Sequence, residues 1–541
     1  MAELYNSVRL FKFIARKERV ISLVWVLSLV GFVLVLIPGM YHAIDEYGRN
    51  AMLPILSDPT MVALVGPGFG IDEGLYGFGA WFAHMMYLFT SIAVAIMSIF
   101  LAVRHTRRDE EHWRYEVLRS LPIGRLSNIN ATALMVLCVN IAISLLIGLG
   151  AFALGDSSMG FGASLLFGLG HGAVGLVFGA IAALFAQLSS TTRGALSYSF
   201  LALGLFYMLR AVGDMNLEIL SLINPLGLPM RSQFFVHNYV WPQIIMLAAA
   251  VIIFAIAYKL NTMRDIDQGF IPIKPGRREA KKSLLSPLGL CLRLTRTSII
   301  SWVIIMFVIG ASYGAIMGDI GGFIEGNEFY QQLLGLGGMT AAEIEAFGII
   351  NFASTITLMM TMINIVPIIL VSQRLKGEEK EGRVELVLSC PVSKGRLFLN
   401  YVMVAAALSV LLQLALAAGL YASAVSMLEH NPLDFMGLTR GALAYLPAMW
   451  VFVGLSSVLL AFGKKFASLV WLYFLFVFLV FFLGVMELFP AAISGLSVFY
   501  QTPMLPLEDV SALPLVIMGV VAVTLVMAAA ALYKSRDIRN I

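Results

Sequence analysis

The sequence predicts an all-α polytopic membrane protein, with twelve transmembrane helices arranged as two parallel six-helix repeats and amphipathic helices on the cytosolic side. Three observations carry that reading. Hydrophobic residues make up 60% of the 541, charged residues only 13%, and the mean hydropathy is +0.88, a composition outside the range of soluble globular proteins. Twelve apolar runs reach or approach the ~20 residues a helix needs to cross a ~30 Å hydrocarbon core. One charged motif occurs twice, at the same place in each half of the chain.

The runs lie at roughly 20–41, 79–103, 129–154, 160–188, 195–212, 239–258, 299–317, 349–372, 397–428, 440–462, 467–486 and 513–533. Long unbroken runs specify helices, because the strands of a membrane barrel alternate in short segments. The first run, Val20–Tyr41, is too long for a signal-peptide core and lacks a small-residue cleavage site, so it reads as a retained helix. Ahead of it, Leu4, Val8, Leu10, Phe11, Ile14 and Ala15 fall on one side of a helical wheel, with Arg9, Lys12 and Arg16 opposite. That is the pattern of a helix lying in the inner interface.

Segment 42–78 contains SDPTMVALVGPGFG, whose prolines and glycines favour turns. Segment 213–238 is apolar but broken by Pro225, Gly227 and Pro229. It is too short to cross and reads as a re-entrant hairpin. Asp267–Gly289 combines Pro, Gly and a basic cluster and reads as a cytosolic linker. Beyond Pro287, Leu288, Leu290, Cys291 and Leu294 oppose Arg293 and Arg296, a second copy of the N-terminal amphipathic pattern. The expected domains are a first six-helix half at 1–266, the linker at 267–289 and a second half at 290–541.

Lys and Arg placement sets the orientation in the bacterial plasma membrane. With both termini cytosolic, every basic residue except Arg49, Arg210, Arg231 and Arg440 falls on an inner segment. Outer loop 318–348 holds Asp319, Glu325, Glu328, Glu343 and Glu345 and no base; loop 487–512 also has no base. The net charge of +4 follows from topology and from contact with anionic headgroups, and does not point to nucleic acid.

The repeated motif is R-x-E-x-x-x-S-x-P. Arg114, Glu116, Ser120 and Pro122 match Arg383, Glu385, Ser389 and Pro391 at a constant offset of 269 residues. Each copy follows the second helix of its half. A second match, Arg264-Asp265-Ile266 and Arg536-Asp537-Ile538, closes each half after its sixth helix. An even helix number makes the repeats parallel, related by an axis along the membrane normal. In each motif a Glu precedes the Arg by four residues, Glu110 to Arg114 and Glu379 to Arg383, the favourable order for a helical ion pair. Apolar residues follow at Val117, Leu118 and Leu121, and at Val384, Val387 and Leu388, before Pro122 and Pro391 stop the helix. Each stretch therefore reads as one short amphipathic helix, either resting on lipid or gripped by a soluble partner.

Catalytic motifs are missing. Gly463-Lys464-Lys465 lacks the spacing and hydroxyl of a phosphate loop, and no metalloprotease, nucleophile-elbow or Cys/His ligand pattern occurs. The chain reads as a non-enzyme that binds no cofactor or metal. Cys138, Cys291 and Cys390 read as packing residues. His84 and His171 lie within helices, either as neutral hydrogen-bonding groups between helices or as part of a substrate path. No Asp or Glu sits mid-helix, where an ion-coupled carrier would need one.

The stretch EEKEGRVELVLSCPVSKGRL, Glu378–Leu397, resembles the segment that follows the second helix in type-2 ABC exporter permeases. The central Arg264–Arg296 segment, with Trp302 and Tyr313-Gly314 after it, is similar to fused twelve-helix permeases called exporters of polyketide antibiotics. The resemblance covers nearly the whole chain. It implies a separate ATP-binding-cassette ATPase that carries ATP and Mg and docks on the charged stretch as a coupling helix. Glu110, Arg114, Glu116, Glu379, Arg383 and Glu385 are then the coupling residues, and two such helices imply two ATPase copies. It also implies an amphiphilic small-molecule substrate of the drug or antibiotic class, leaving from the cytosol or inner leaflet between helices 2, 5, 8 and 11. The first copy departs from the pattern, with His112-Trp113 where the second has Glu381-Gly382. The alternative is an ion-coupled carrier of major-facilitator type, which shares twelve helices in two parallel halves but predicts short polar loops and buried acids.

Overall fold

The computed structural model describes all residues except 1, 58, 72, 216, 266–267, 272–277, 326–339, 429–431, 464, 485–493, 501, 503–511 and 537–541. Among the described residues, eleven helices are long and apolar enough to cross a membrane. Within the run expected at 467–486 the described residues form an apolar helix, Phe466–Phe481. Among the described residues there is no β-strand, only an isolated bridge between Ser189 and Ile271. The protein is thus an all-α polytopic membrane protein, and its chain divides into two compact units, Met1–Gly276 and Arg277–Ile541.

In the first unit, helix Phe161–Leu188 is the hub and packs against Ser127–Leu154, Phe78–His105 and Trp241–Met263. Lipid provides no hydrophobic drive between helices, so close packing must supply it. Small residues permit this: a side chain at Gly168 would strike the Ser144 carbonyl and the Gly148 backbone. In the second unit, helix Pro287–Glu325 packs along Lys394–Met427, and Leu446–Phe462 along Ala512–Ser535. Helix Phe435–Ala444 is separated from Leu446–Phe462 at Tyr445, because Pro447 fits only the first turn of a new helix.

Two expectations need correction, at the N-terminal stretch and at segment 42–78. The N-terminal amphipathic stretch is not a separate interfacial helix but the start of one continuous helix, Ser7–Ala43. No Pro or Gly stands between the stretch and the membrane run, so nothing ends the helix. Its Leu10 and Ile14 are buried, and Glu18, only 2% exposed, is held by Arg104 Nη2 at 3.2 Å. Segment 42–78, expected as turns, contains short helices Glu46–Ala51, Leu53–Leu56 and Pro59–Val65 before the glycine turn at Gly66–Gly70. Segment 213–238 forms a short helix, Glu218–Leu222, and a 3-10 turn, Leu228–Ser232, with Leu226, Phe234 and Phe235 buried. Its charges are paired: Asp214 bonds Arg210 at 3.1 Å and Arg231 at 3.2 Å.

Candidate functional site

The two charged stretches fold alike, and neither is the single helix expected. In the first, helix Phe78–His105 leads to Arg107–Glu111, then to Trp113, then to Arg114–Arg119. In the second, Ala341–Ser372 leads to Arg374–Lys380, then to Gly382, then to Arg383–Leu388. The hinge residue is left-handed in both, with φ 59° at Trp113 and 71° at Gly382. A left-handed residue cannot continue a right-handed helix, so the spacing of Glu379 and Arg383 does not make an i,i+4 pair. Arg383 Nε instead bonds Glu378 Oε2 at 2.6 Å, one residue earlier. That hydrogen bond is the main reason the Arg383 pKa is raised further above its already high value. The side chain of Arg114 lies outside the described residues.

The acids before the hinge turn inward. Glu379 is fully buried; its Oε1 accepts from Tyr533 Oη at 2.6 Å and its Oε2 from Arg536 Nη2 at 2.7 Å. Glu110 is 6% exposed and is paired with Arg107 at 2.9 Å and with Arg264 Nη2. Arg264 Nε also bonds Gln187 Oε1 at 2.8 Å. Thus each stretch is tied by a buried carboxylate to the arginine that follows the last long helix of its own unit. A second tie comes from the far side of each stretch. Arg125 Nη2 donates to the Arg264 carbonyl at 2.6 Å, and Lys394 Nζ donates to the Arg536 carbonyl at 3.0 Å. Arg125 and Lys394 stand at the same offset of 269 residues as the motif. Asp109 and Glu378 share that register too, each reaching back one turn, to His105 at 3.6 Å and Arg374 at 3.3 Å.

Beyond the hinge, each stretch has an inner and an outer face. Val384 is buried, with Val387, Leu388 and Leu118 half-buried against the core. The apolar residues of the motif are therefore only partly covered. Val117 and Leu121 are exposed, and Val117 matches Leu386 at the same register, 71% and 72% exposed. Glu116, Arg383 and Glu385 lie on the exposed side. The motif serine closes each helix, Ser120 Oγ donating to the Val117 carbonyl and Ser389 Oγ to the Leu386 carbonyl, both at 2.8 Å. The first stretch is also held by the N-terminus: Asn6 Nδ2 donates to the Pro122 carbonyl at 2.8 Å and Ser127 Oγ to the Tyr5 carbonyl at 2.7 Å.

Sequence reasoning used Arg264 and Arg536 as repeat markers and missed that they bind the buried acids of the charged stretches. Their matched place after the last helix of each half was the available signal. The hinge gives a simple test. A non-glycine residue in the left-handed region costs about 1–2 kcal/mol, and Trp113 is 62% exposed, so it recovers little by burial. Trp113→Gly is expected to leave the melting temperature of the purified protein equal to or above the wild-type value, measured by intrinsic fluorescence.

The two histidines are not brought together with the charged stretches. His84 Nδ1 and Tyr76 Oη lie 2.6 Å apart, and His84 Nε2 lies 2.8 Å from the Gly66 carbonyl. His171 is fully buried, with Nε2 at 2.8 Å from Thr90 Oγ1 and Nδ1 at 2.9 Å from the Phe167 carbonyl. Both rings therefore have partners at both nitrogens. Among the described residues no His, Cys, Asp and Glu cluster could hold a metal ion.

Long apolar helices, with a clamped charged stretch in each unit, make a multi-pass membrane protein, and similarity to known permeases makes it a permease subunit of the ABC-exporter class. Residues 284–534 match the family model described as the C-terminal domain of the multidrug efflux system permease Rv1217c. The chain is also 30% identical over 540 residues to the multidrug efflux system permease protein Rv1217c of Mycobacterium tuberculosis strain H37Rv, covering 99% of this chain and 95% of that protein. The chain belongs to this family of multidrug efflux permeases, multi-pass proteins of the bacterial membrane.

Proposed function

We propose that this permease is the fused twelve-helix form, resembling the exporters of polyketide antibiotics, in which each charged stretch is a coupling helix for one cytosolic cassette ATPase. The halves are 1–266 and 290–541 joined by linker 267–289, the short apolar helix Phe466–Phe481 belongs to the remaining membrane crossing, and both termini are cytosolic. ATP and Mg reside on the two ATPase copies. The cargo is an amphiphilic small molecule of the drug or antibiotic class, taken from the cytosol or inner leaflet.

One observation carries this reading: the same clamp, Glu379 to Arg536 and Glu110 to Arg264, recurs in both units. A surface helix that only rests on lipid has no need of a buried ionic tie to a distant helix. A handle that must carry a push does. Differential affinity of ATP for two states of the partner supplies the work. The push enters at the exposed face of Val117 or Leu386 and passes through the buried carboxylate to the last helix of the half. His84 and His171 hold helices and loop together here; the cavity beside His84, about 30 Å³, is far below the ~300 Å³ at which small-molecule sites begin.

The test is transport in vesicles holding the permease with or without its cassette ATPase. Export and vanadate-sensitive hydrolysis are expected only with the ATPase and ATP. Export driven by a proton gradient in vesicles lacking the ATPase would select the major-facilitator reading instead. Orientation is checked separately, in a background lacking Cys138, Cys291 and Cys390. Cysteines at Glu73 and Thr340 are expected to react with an impermeant thiol reagent outside intact cells, and cysteines at Lys282 and Ser535 to stay unlabelled until the cells are opened. The reverse pattern would invert the topology.

A further inference from the structure

The end of the linker and the start of the helix that follows it form a basic groove that the export mechanism does not use. The groove encloses about 960 Å³ and is lined by Arg278, Lys281, Arg293 and Arg296, with Glu279 as its one acid. Among the described residues none of these five takes part in an ion pair. Folded backbone shapes it. The 3-10 turn Lys282–Leu285 lies back over helix Pro287–Glu325, Gly289 N donating to Ser286 Oγ at 3.0 Å and Ser286 Oγ to the Ser283 carbonyl at 3.2 Å. Any side chain at Gly289 would collide with that Ser283 carbonyl, so the close approach requires glycine.

Four cations facing one cavity without partners repel one another and call for an anion. The apolar surroundings say what kind. Leu284 and Leu292 line the groove; Leu292 is 44% exposed, and Leu285 and Leu288, which neighbour lining residues in the chain, are 82% and 39% exposed, where the helix enters its membrane span, Pro287–Met317. A free polyanion gains nothing from exposed leucines, whereas an acyl chain covers them. We propose that the groove binds the phosphate headgroup of an anionic phospholipid of the inner leaflet, with its chains lying over Leu285, Leu288 and Leu292. Basic pockets at the cytoplasmic ends of membrane helices are the type of site that takes such headgroups. The inference concerns this unit alone and holds whether or not the exporter reading does.

The experiment is native mass spectrometry of the detergent-purified full chain, titrated with cardiolipin or with phosphatidylcholine. A saturable cardiolipin adduct is expected, without a matching phosphatidylcholine adduct. Each basic residue near an anionic surface contributes about fivefold. K281Q/R293Q/R296Q should therefore weaken the adduct about a hundredfold, while R293K/R296K keeps it. R9Q/K12Q/R16Q, which removes basic residues of the N-terminal helix, should leave it unchanged. Equal loss in both triple variants would mean unspecific attraction and would overturn the site. So would full displacement by pyrophosphate, which would make this a site for soluble anions. Melting temperatures of all variants identify any loss caused by unfolding, and the lysine variant keeps the comparison decisive.

Discussion

Arg536→Ala is expected to destabilise the second unit by about 3–5 kcal/mol, the range for breaking one side of a buried ion pair. Removing the guanidinium leaves Glu379, whose side chain is wholly buried, with Tyr533 Oη as its remaining hydrogen-bond partner. A buried carboxylate without a cation is the costly species, so Glu379→Gln in the same chain should restore much of the loss. The single and double variants form a cycle that separates the cost of the stranded charge from the worth of the pair. Arg264→Ala should cost less, because Arg107 stays 2.9 Å from Glu110 and keeps that carboxylate paired. Thermal unfolding in detergent gives the order: Arg536→Ala lowest, then the double variant, then Arg264→Ala nearest wild type. If Arg536→Ala melts with the wild type, the clamp is not formed in solution. In the assembled exporter, the Glu379→Gln/Arg536→Ala variant is expected to bind its ATPase and hydrolyse ATP while transporting little, because docking remains but the tie to the last helix is gone.

The opposite separation is expected at the outer face. Val117→Asp and Leu386→Asp alter side chains more than 70% exposed, and surface changes of that kind usually shift stability by less than ~0.5 kcal/mol. Placing a carboxylate at the centre of an apolar docking patch costs about 2 kcal/mol or more, a ~30-fold loss of affinity. Each variant should fold and insert as the wild type does yet bind ATPase far more weakly in a titration of the purified components. Arg383→Ala is expected to act less sharply than its position in the motif suggests, because Arg383 is engaged by Glu378 of its own chain. Unchanged affinity in both aspartate variants would remove the exposed pair from the docking surface.

Much of the helix content was legible because bilayer thickness turns long apolar runs into candidate membrane helices. At the start of the run at 467–486 the chain forms a 3-10 turn, Phe466–Leu469, before α-helix Val470–Gly484, a local change that hydropathy does not register. The motif at Arg114 and Arg383 located the candidate site but misled on its geometry. Helical spacing suggested Glu379 and Arg383 as partners, yet Gly382 takes a left-handed conformation between them. A glycine there was a visible stop signal; Trp113, its counterpart, was not, since only the surrounding structure forces a tryptophan into that region. The tie from Glu110 to Arg264 joins residues 154 apart, and no local pattern encodes such a contact. The repeated Arg-Asp-Ile was its only trace in the sequence.

The most direct test of the account is the mass of the purified exporter under native conditions. One permease with two ATPase subunits is expected for the wild type. Val117→Asp or Leu386→Asp alone should leave one ATPase bound, and the two together should leave none. A double variant that still carries two ATPase subunits would contradict the assignment of these paired stretches as the handles of the transporter.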